Sequence, residues 1–444
     1  MSAPEGRVPL RLLLAYGGPV LGVAVLLFLV QFYFLKFATD VLLLPPAAVG
    51  VVFGLAKLWD AASNPIVGSW SDRTRSSHGR RRPFLVAALP LLFVGFVLLW
   101  VPPLSLGAPA LVAWTAVALL LFHTAFALYT IPHAALGAEL SADTHERTRL
   151  FGARQISFTL GMLLAFGVMQ IAMNADDPRS ATATIAIPVA LAAVLLLLAT
   201  PLLVREPARG AVAGGQGLVA GLRDVWANEP ARKLLIVWFI ESAGVGAVGT
   251  MAPFIAEYLL GRPEVVGLLP AAYVVAGIVS IPIWVQVSRR FGKRETWLVA
   301  MFAAAAAFGA MLLVGPGDVA LLMGLLVLAG AAMGCGSVLS SSILADVIDL
   351  DAERTGERKE GVYSAAMTFV MKIGVAGATA ASGFVLGASG FVPNAVQSAE
   401  SLLGIRILFA GLPCLGFVVG GLIFWGASFE RAPAAAVAGE AAPR

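Results

Sequence analysis

The sequence predicts an all-α membrane protein in which twelve transmembrane helices form two pseudo-symmetric six-helix bundles. Hydrophobic residues make up 59% of the 444 residues and charged residues only 13%, and the mean hydropathy is +0.88. A soluble chain of this length needs more polar surface. Several apolar runs exceed the roughly 20 residues with which a helix crosses the hydrocarbon core. Strand-like alternation is absent, so we expect helices to satisfy the backbone in lipid.

Breaker residues divide the chain into twelve spans near residues 12–38, 47–70, 84–101, 110–137, 152–174, 183–203, 233–258, 266–288, 297–314, 318–344, 363–387 and 403–426. Most of the 30 lysines and arginines fall in the termini and in the loops after even-numbered spans. Cytoplasmic loops are enriched in these residues, so both termini are expected to be cytoplasmic. The alternation requires an even number of spans.

A weak internal repeat indicates the two bundles. The loop after span 2, "SDRTRSSHGRRRP", has a counterpart after span 8, "SRRFGKRE". Duplicated halves of this kind are a known plan of secondary transporters. We expect an N-terminal bundle at 1–204, a cytoplasmic linker at 205–232, a C-terminal bundle at 233–430 and a disordered cytoplasmic tail at 431–444. The N-terminus lacks a small-residue cleavage site, so the first helix is expected to remain.

Three blocks of sequence carry a resemblance to a known family: "WDAASNPIVGSWSDRT", "YTIPHAALGAELSADTHERTRLFGARQ" and "LADVIDLDAERTGERKEGVYSAAMTFVMKIG". They resemble blocks of the glycoside–pentoside–hexuronide:cation symporter family, whose best-known member is the melibiose permease. "GSWSDRTRSSHGRRRP" resembles the span 2–3 loop signature of the major facilitator superfamily. The resemblance covers both halves and implies the major facilitator fold and a symporter that works by alternating access.

By this resemblance, the polar positions of span 2 hold the coupling cation, and the intramembrane lysine of span 11 takes part in coupling. The matching positions are Asp60, Ser63, Asn64 and Lys372. Asn64 replaces a carboxylate of the family motif, and Ser63 replaces its asparagine. Sodium needs several oxygen ligands whereas a proton needs one carboxylate, so proton coupling is favoured over sodium coupling, with uncoupled transport left open. The residues themselves also allow a purely structural ion pair of Asp60 with Lys57 or Lys372, because an isolated mid-span charge costs on the order of 3 kcal/mol.

The candidate substrate-binding residues are polar side chains within the spans: Lys57, His123, Tyr129, Thr130, Glu241 and Lys372. Thr130 occupies the position where the resemblance places a sugar-binding aspartate, and span 1 lacks the family's other such aspartate. Lys372 needs an acidic partner, either Asp60 or Glu241. Glu241 also fits a glutamate that lines the cytoplasmic vestibule, and His123 also fits a hydrogen-bonded packing residue.

Acids and arginines at the cytoplasmic ends of the spans are candidates for an inner gate. They are Asp72, Arg73, Glu139, Arg147, Arg154, Asp346, Asp349 and Arg358. Salt bridges among them are expected to lock the outward-facing state. The alternative is that the arginines only fix topology.

The sequence therefore predicts a secondary transporter of a bacterial-type inner membrane. The expected solute is a small sugar-like or glycoside-like molecule. An amphiphile such as a lysolipid, and a non-transporting membrane sensor on the same fold, remain alternatives. We expect no enzyme activity, resident cofactor, metal site or nucleic-acid partner, and function as a monomer in the bilayer. A coupling H⁺ or Na⁺ is the one ion expected.

Overall fold

A computed structural model describes residues 8–141, 143–206, 223, 225–355 and 360–426, and none of these forms a strand. Arg358, the predicted tail and most of the predicted linker lie outside the described residues. The prediction of twelve helices is confirmed. The helices are α1 (Leu10–Val41), α2 (Pro46–Arg73), α3 (Arg82–Trp100), α4 (Ala108–Glu139), α5 (Thr144–Met173), α6 (Pro178–Leu203), α7 (Glu229–Leu259), α8 (Leu268–Phe291), α9 (Lys293–Met311), α10 (Val319–Thr355), α11 (Glu360–Ala388) and α12 (Ala399–Trp425).

Ten of these helices are by themselves long and apolar enough to cross a membrane. The two others are α2 and α9. Lys57 and Asp60 interrupt the apolar stretch of α2, and α9 begins with the charged residues 293–295. Two helices extend well past their predicted limits, since α5 begins at Thr144 and α10 ends at Thr355. Asp143 makes the early start of α5 possible, because its carboxylate accepts hydrogen bonds from two backbone N–H groups of the first turn.

The helices pack in two equivalent sets. In the first half, α1 packs on α5, α2 on α4, and α3 on both α4 and α6. In the second half, the pairs shifted by six helices recur: α7 packs on α11, α8 on α10, and α9 on both α10 and α12. The halves meet along two further equivalent pairs, α2 with α11 and α5 with α8. This arrangement confirms the predicted pseudo-symmetric bundles.

The bundle has a basic end and a distal end. The basic end carries the arginine-rich loop 74–81 and the connection between the halves, and the distal end carries the loops after odd-numbered helices. At the distal end, α1 and α7 finish in equivalent π-helical turns, Phe37–Val41 and Ile255–Leu259. Such turns are rare and are frequent at functional sites.

Glycines allow α2 and α11 to approach closely on the distal side. A Cβ atom at Gly50 would lie 2.8 Å from Cα of Gly383, and one at Gly54 would lie 2.7 Å from Cβ of Ala380. Small residues at helix–helix contacts permit this separation in membranes. The seam therefore holds the two halves together backbone against backbone.

Candidate functional site

A cavity of about 650 Å³ lies between the two halves and extends from mid-span toward the basic end. Residues of α1, α2, α4, α5, α7, α10 and α11 line it. The polar lining residues are Gln31, Lys57, Asp60, Glu241, Ser242, Ser337, Ser340, Ser341, Thr368 and Lys372. The aromatic lining residues are Phe28, Phe126, Phe158 and Trp238. The cavity thus brings together four of the predicted site residues, Lys57, Asp60, Glu241 and Lys372.

An ion pair joins the two halves across this cavity. Nζ of Lys372 lies 2.8 Å from Oδ2 of Asp60. With its amide oriented so that both atoms have partners, Asn64 accepts from the same ammonium at 2.6 Å and donates to the carbonyl of Asp60 at 3.1 Å. The other carboxylate oxygen of Asp60, Oδ1, is buried and has no hydrogen-bond partner among the described residues. Asp60 is therefore held by one ammonium and keeps one oxygen free.

Lys57 and Ser63 make contacts within the first half. Nζ of Lys57 donates to Oε1 of Gln31 on α1 at 2.7 Å, so the sequence-derived pairing of Lys57 with Asp60 is replaced by an amide contact. The hydroxyl of Ser63 donates to the carbonyl of Asp60, one turn earlier on the same helix, at 3.1 Å. Ser63 therefore supplies no free donor to the cavity.

Three candidate residues of α4 are not among the residues that line the cavity. The hydroxyl of Tyr129 donates to the carbonyl of Leu197 on α6 at 2.9 Å, and the hydroxyl of Thr130 donates to the carbonyl of Phe126 at 2.8 Å. His123 is fully buried, and neither ring nitrogen has a hydrogen-bond partner among the described residues. In this conformation the hydroxyls of Tyr129 and Thr130 are engaged by backbone carbonyls, and His123 is enclosed by packing.

Glu241 is the ionisable group that α7 contributes to the cavity wall. Its side chain is largely buried, at 9% exposure, and lies close to the indole of Trp297 of α9. Gly336 of α10 faces both groups, since a Cβ there would lie 3.2 Å from Nε1 of Trp297 and 4.0 Å from Oε1 of Glu241. Among the described residues, no cation forms an ion pair with Glu241.

Three candidate gate acids at the basic end pair with cations of their own half. Asp72 pairs with Arg81 at 2.9 Å, and Glu139 pairs with the same guanidinium at 2.7 Å. Asp346 pairs with Lys293 at 2.7 Å. Arg73, Arg147 and Arg154 were the expected neighbours, but loop 74–81 folds back and presents Arg81 to Asp72 and Glu139 instead. Asp349 has a partner, and Arg358 lies outside the described residues.

A polar cluster at the distal end, which the sequence analysis did not identify, joins the halves. Lys36 pairs with Asp40 on α1 and, at 2.9 Å, with Glu257 on α7. Its ammonium also lies 3.9 Å from the ring centroid of Tyr258, whose hydroxyl donates to Asp40. Asn394, in the loop between α11 and α12, donates to the backbone carbonyl of Asp40 at 2.8 Å. We call these five residues the distal cluster.

A second polar contact at the distal end joins α5 to α8. Oε1 of Gln170 accepts from the backbone N–H of Gly267 at 2.7 Å. The distal cluster therefore joins α1 to α7, and Gln170 joins α5 to the start of α8.

Two apolar spaces adjoin the central cavity. A side chamber of about 230 Å³ shares Phe28 and Val245 with it. A lateral cleft of about 820 Å³, between α5 on one side and α8 and α10 on the other, shares Val245, Met333 and Ser337 with it. The lateral cleft thus adjoins the cavity between α5 and α8.

Comparisons with known proteins agree with this architecture. A family model described as MFS/sugar transport protein matches residues 15–430. The chain is 25% identical to the isoprimeverose transporter of Lactiplantibacillus pentosus, over 88% of this chain and 82% of that protein. It is also 25% identical to the glucuronide carrier protein homolog of Escherichia coli, over 88% and 87% of the two chains.

Solved structures share the fold. A bacterial homolog of the human lysosomal transporter Spinster, in an inward-facing and unoccupied conformation, superposes with a TM-score of 0.74 at 15% identity, over 95% of this chain and 97% of that one. A D-xylose-proton symporter superposes with a TM-score of 0.66 at 17% identity, over 94% and 97%. The family and its named relatives are membrane transporters and not enzymes. The chain therefore belongs to the MFS/sugar transport protein family and is a major facilitator of the glycoside–pentoside–hexuronide:cation symporter type.

Proposed function

We propose that this protein is a proton-coupled symporter of a sugar or glycoside, acting by alternating access in a bacterial inner membrane with its basic end in the cytoplasm. The observation that carries the proposal is the composition of the central cavity. Lys57, Asp60 and Lys372 stand together in one wall region, and Trp238 with three phenylalanines supplies flat apolar surface. Hydroxyl-rich solutes bind through charged hydrogen-bond partners, and sugar rings stack on aromatic faces.

Coupling is proposed to act through the Asp60–Lys372 pair. A proton on Asp60 removes the charge that holds the ammonium of Lys372, which frees the lysine to donate to a solute and loosens the contact between α2 and α11. The unpartnered oxygen of Asp60 supports this role, because it offers a lone pair that no described residue occupies. Asn64 and Ser63 supply fewer anionic ligands than a sodium site needs, and this composition supports a proton as the coupling ion.

The described conformation is proposed to be inward-facing. Polar contacts across the halves are found at mid-span and at the distal end, whereas the cavity extends toward the basic end. Closure of the basic end is then proposed to bring Asp72, Glu139 and Asp346 close to arginines of the opposite half, while their pairs within each half persist.

The names of the relatives support the solute class: one is an isoprimeverose transporter and another a glucuronide carrier homolog. An amphiphile is the second candidate, favoured by the lateral cleft and the apolar side chamber that adjoin the cavity. A solute with a sugar head and an alkyl tail could place its head at Lys372 and its tail in the side chamber.

The experiment is uptake into proteoliposomes under an imposed pH gradient or sodium gradient, with internal pH as the readout. The test solutes are xylose, isoprimeverose, a methyl glucuronide, octyl glucoside below its micellar concentration, and lysophosphatidylcholine. We expect a free sugar or short glycoside to move protons with it, and Asp60→Asn to abolish accumulation while exchange continues. Transport driven by sodium alone contradicts proton coupling. Movement of the lysolipid alone contradicts the sugar class.

A further inference from the structure

We infer that Glu241 is a second proton-binding site of the cavity, occupied while Asp60 is ionised. The inference rests on the proposed transport function for its consequence, but not for the proton site itself. It follows from a contrast between the two carboxyl groups that line the same cavity, one in each half. Asp60 has an ammonium at 2.8 Å, whereas Glu241 has the indole of Trp297 nearby and no cationic partner among the described residues.

Burial makes this contrast decisive. Both side chains are at most 9% exposed. A carboxylate without a cation or several hydrogen-bond donors is costly in such surroundings, and taking up a proton removes that cost. The neighbouring indole N–H of Trp297 is compatible with a neutral acid, which can accept through one oxygen and keep its own O–H for the cavity. Asp60 differs because the ammonium of Lys372 compensates its charge.

The titratable groups on the helices packed around α7 do not change this conclusion. Near the depth of Glu241 they are Tyr273 on α8, Cys335 on α10, Lys372 on α11 and Cys414 on α12. Tyr273 and Cys335 are close enough to interact electrostatically with Glu241, and both are neutral in their ordinary form. Lys372 is engaged by Asp60 and Asn64, and α1 contributes the amide of Gln31 to the cavity.

The cavity gives the proton a route. Glu241 lines it together with Ser242 and Ser337, so a proton that leaves the carboxyl group enters the cavity. Protonation adds H⁺ to one carboxyl oxygen and release returns it to cavity water, with no other group consumed. A transport cycle that empties this site therefore moves a proton in addition to any carried by Asp60.

Dicyclohexylcarbodiimide tests the site without knowledge of the solute. The reagent reacts with a buried carboxylic acid, whose proton passes to a carbodiimide nitrogen as the carboxyl oxygen bonds the central carbon, and the adduct rearranges to a stable acylurea. It does not label carboxylates. After treatment of the intact protein in detergent at pH values from 5.5 to 9, mass spectrometry of the peptides should find the adduct on Glu241 and little on Asp60. Labelling of Glu241 should fall at least fivefold at high pH.

A control variant keeps a negative result informative. Lys372→Ala removes the ammonium from Asp60, so Asp60 should then become labelled, which proves that the reagent enters the cavity. Labelled Asp60 with unlabelled Glu241 in that variant overturns the inference. A wild-type protein labelled on Asp60 and not on Glu241 overturns it too.

Transport supplies the second readout, with Glu241→Gln compared with Trp297→Phe. Relative to its own rate of solute exchange, the glutamine variant should lose at least tenfold in proton-driven accumulation, and its uptake should vary less steeply with pH than that of wild type. Trp297→Phe removes the neighbouring indole N–H and should retain accumulation. Full accumulation by Glu241→Gln contradicts the inference. If wild-type protein moves none of the test solutes, the proposed function fails while the labelling result still decides the proton site.

Discussion

The two ends of this bundle are tied together in different ways. At the distal end, Lys36 of the first half holds Glu257 of the second, and Gln170 holds Gly267. At the basic end, Arg81 holds Asp72 and Glu139 within the first half. Contacts between the halves must break and re-form during alternating access, whereas contacts within a half can persist. The distal contacts therefore belong to the conformational switch, and the described basic-end pairs stabilise each half.

The largest expected effect comes from the mid-span pair that separates the two ends. Lys372→Ala leaves Asp60 buried beside Asn64 alone, and breaking a buried pair by removing one partner costs about 3 kcal/mol. We expect a lower thermal unfolding temperature in detergent and loss of accumulation. The double variant Asp60→Asn/Lys372→Met removes both charges and should recover most of the stability. Equal destabilisation by the single and double variants would show that the charges of Asp60 and Lys372 do not stabilise each other.

The comparison of the ends is tested by removing one lysine from each. Lys36→Met leaves Asp40 and Glu257 without their shared ammonium, so the distal end should open more readily. We expect about tenfold faster alkylation of a cysteine placed at Phe32, which corresponds to about 1.4 kcal/mol in the opening equilibrium. Lys293→Met removes an exposed pair within the second half and should leave this rate within twofold. Equal rates in the two variants would contradict the assignment of the switch to the distal end.

A methyl group added to the glycine seam between α2 and α11 tests the contact between the halves by steric pressure. Gly50→Ala places a Cβ 2.8 Å from Cα of Gly383 and 2.9 Å from the carbonyl of Ala380, which are backbone atoms that cannot move aside locally. The halves should separate at this point, at a cost of about 1–2 kcal/mol. Gly377→Ala on the same helix as Gly383 meets nothing within 4 Å and serves as the matched control. Thermal unfolding of both variants measures the difference.

Part of this account was predictable from the sequence. Mid-span charges are rare and must find partners, so Asp60, Lys372 and Glu241 were identifiable as cavity residues, and pairing of Asp60 with Lys372 was one stated alternative. The hydroxyls of Thr130 and Ser63 were harder to assign, because a helical hydroxyl can bond to its own backbone as well as to a solute. Both do so here.

The contacts at the two ends depend on tertiary register, which composition does not encode. Lys36 looks like an ordinary residue at a membrane interface until α7 places Glu257 beside it. The nearest sequence signal was the i, i+4 spacing of Lys36 and Asp40 at the end of an apolar span. At the basic end, the choice of Arg81 over Arg73 as the partner of Asp72 follows from the path of loop 74–81, which turns at Gly79 with a φ of +100°.

That turn provides a smaller test confined to the basic end. Gly79→Ala introduces a side chain at positive φ, and its Cβ would lie 2.3 Å from a carboxylate oxygen of Glu206. The backbone strain costs about 1–2 kcal/mol. Gly261→Ala, at φ +66° with nothing within 4 Å, carries the backbone strain without the clash. Gly79→Ala should give a lower yield of folded protein than Gly261→Ala. Neither variant should change the rate of solute exchange per folded molecule.

The smallest effect is expected at the start of α5. Backbone N–H groups of Glu146 and His145 hydrogen-bond the carboxylate of Asp143 and lower its pKa. A carboxyl group whose pKa is lower in the folded state than in the unfolded state stabilises the folded protein at pH values above the unfolded pKa. That stabilisation is lost as the pH falls through the folded pKa. The protection of the first turn of α5 against hydrogen exchange should therefore decrease slightly as the pH falls below about 4. Asp143→Asn keeps the cap and should abolish this pH dependence.

Distances measured at both ends of the bundle test whether the distal contacts control the conformational switch. Spin-label pairs at Leu104→Cys with Val396→Cys report the distal end, and pairs at Ser77→Cys with Phe291→Cys report the basic end; all four positions are exposed and Cys414 is replaced by alanine. Pulsed electron–electron double resonance in nanodiscs gives each distance distribution at several pH values, with and without Lys36→Met. The account predicts that Lys36→Met lengthens the distal distance and shortens the basic-end distance in the same fraction of molecules. Distances that stay fixed, or that lengthen at both ends together, would contradict it.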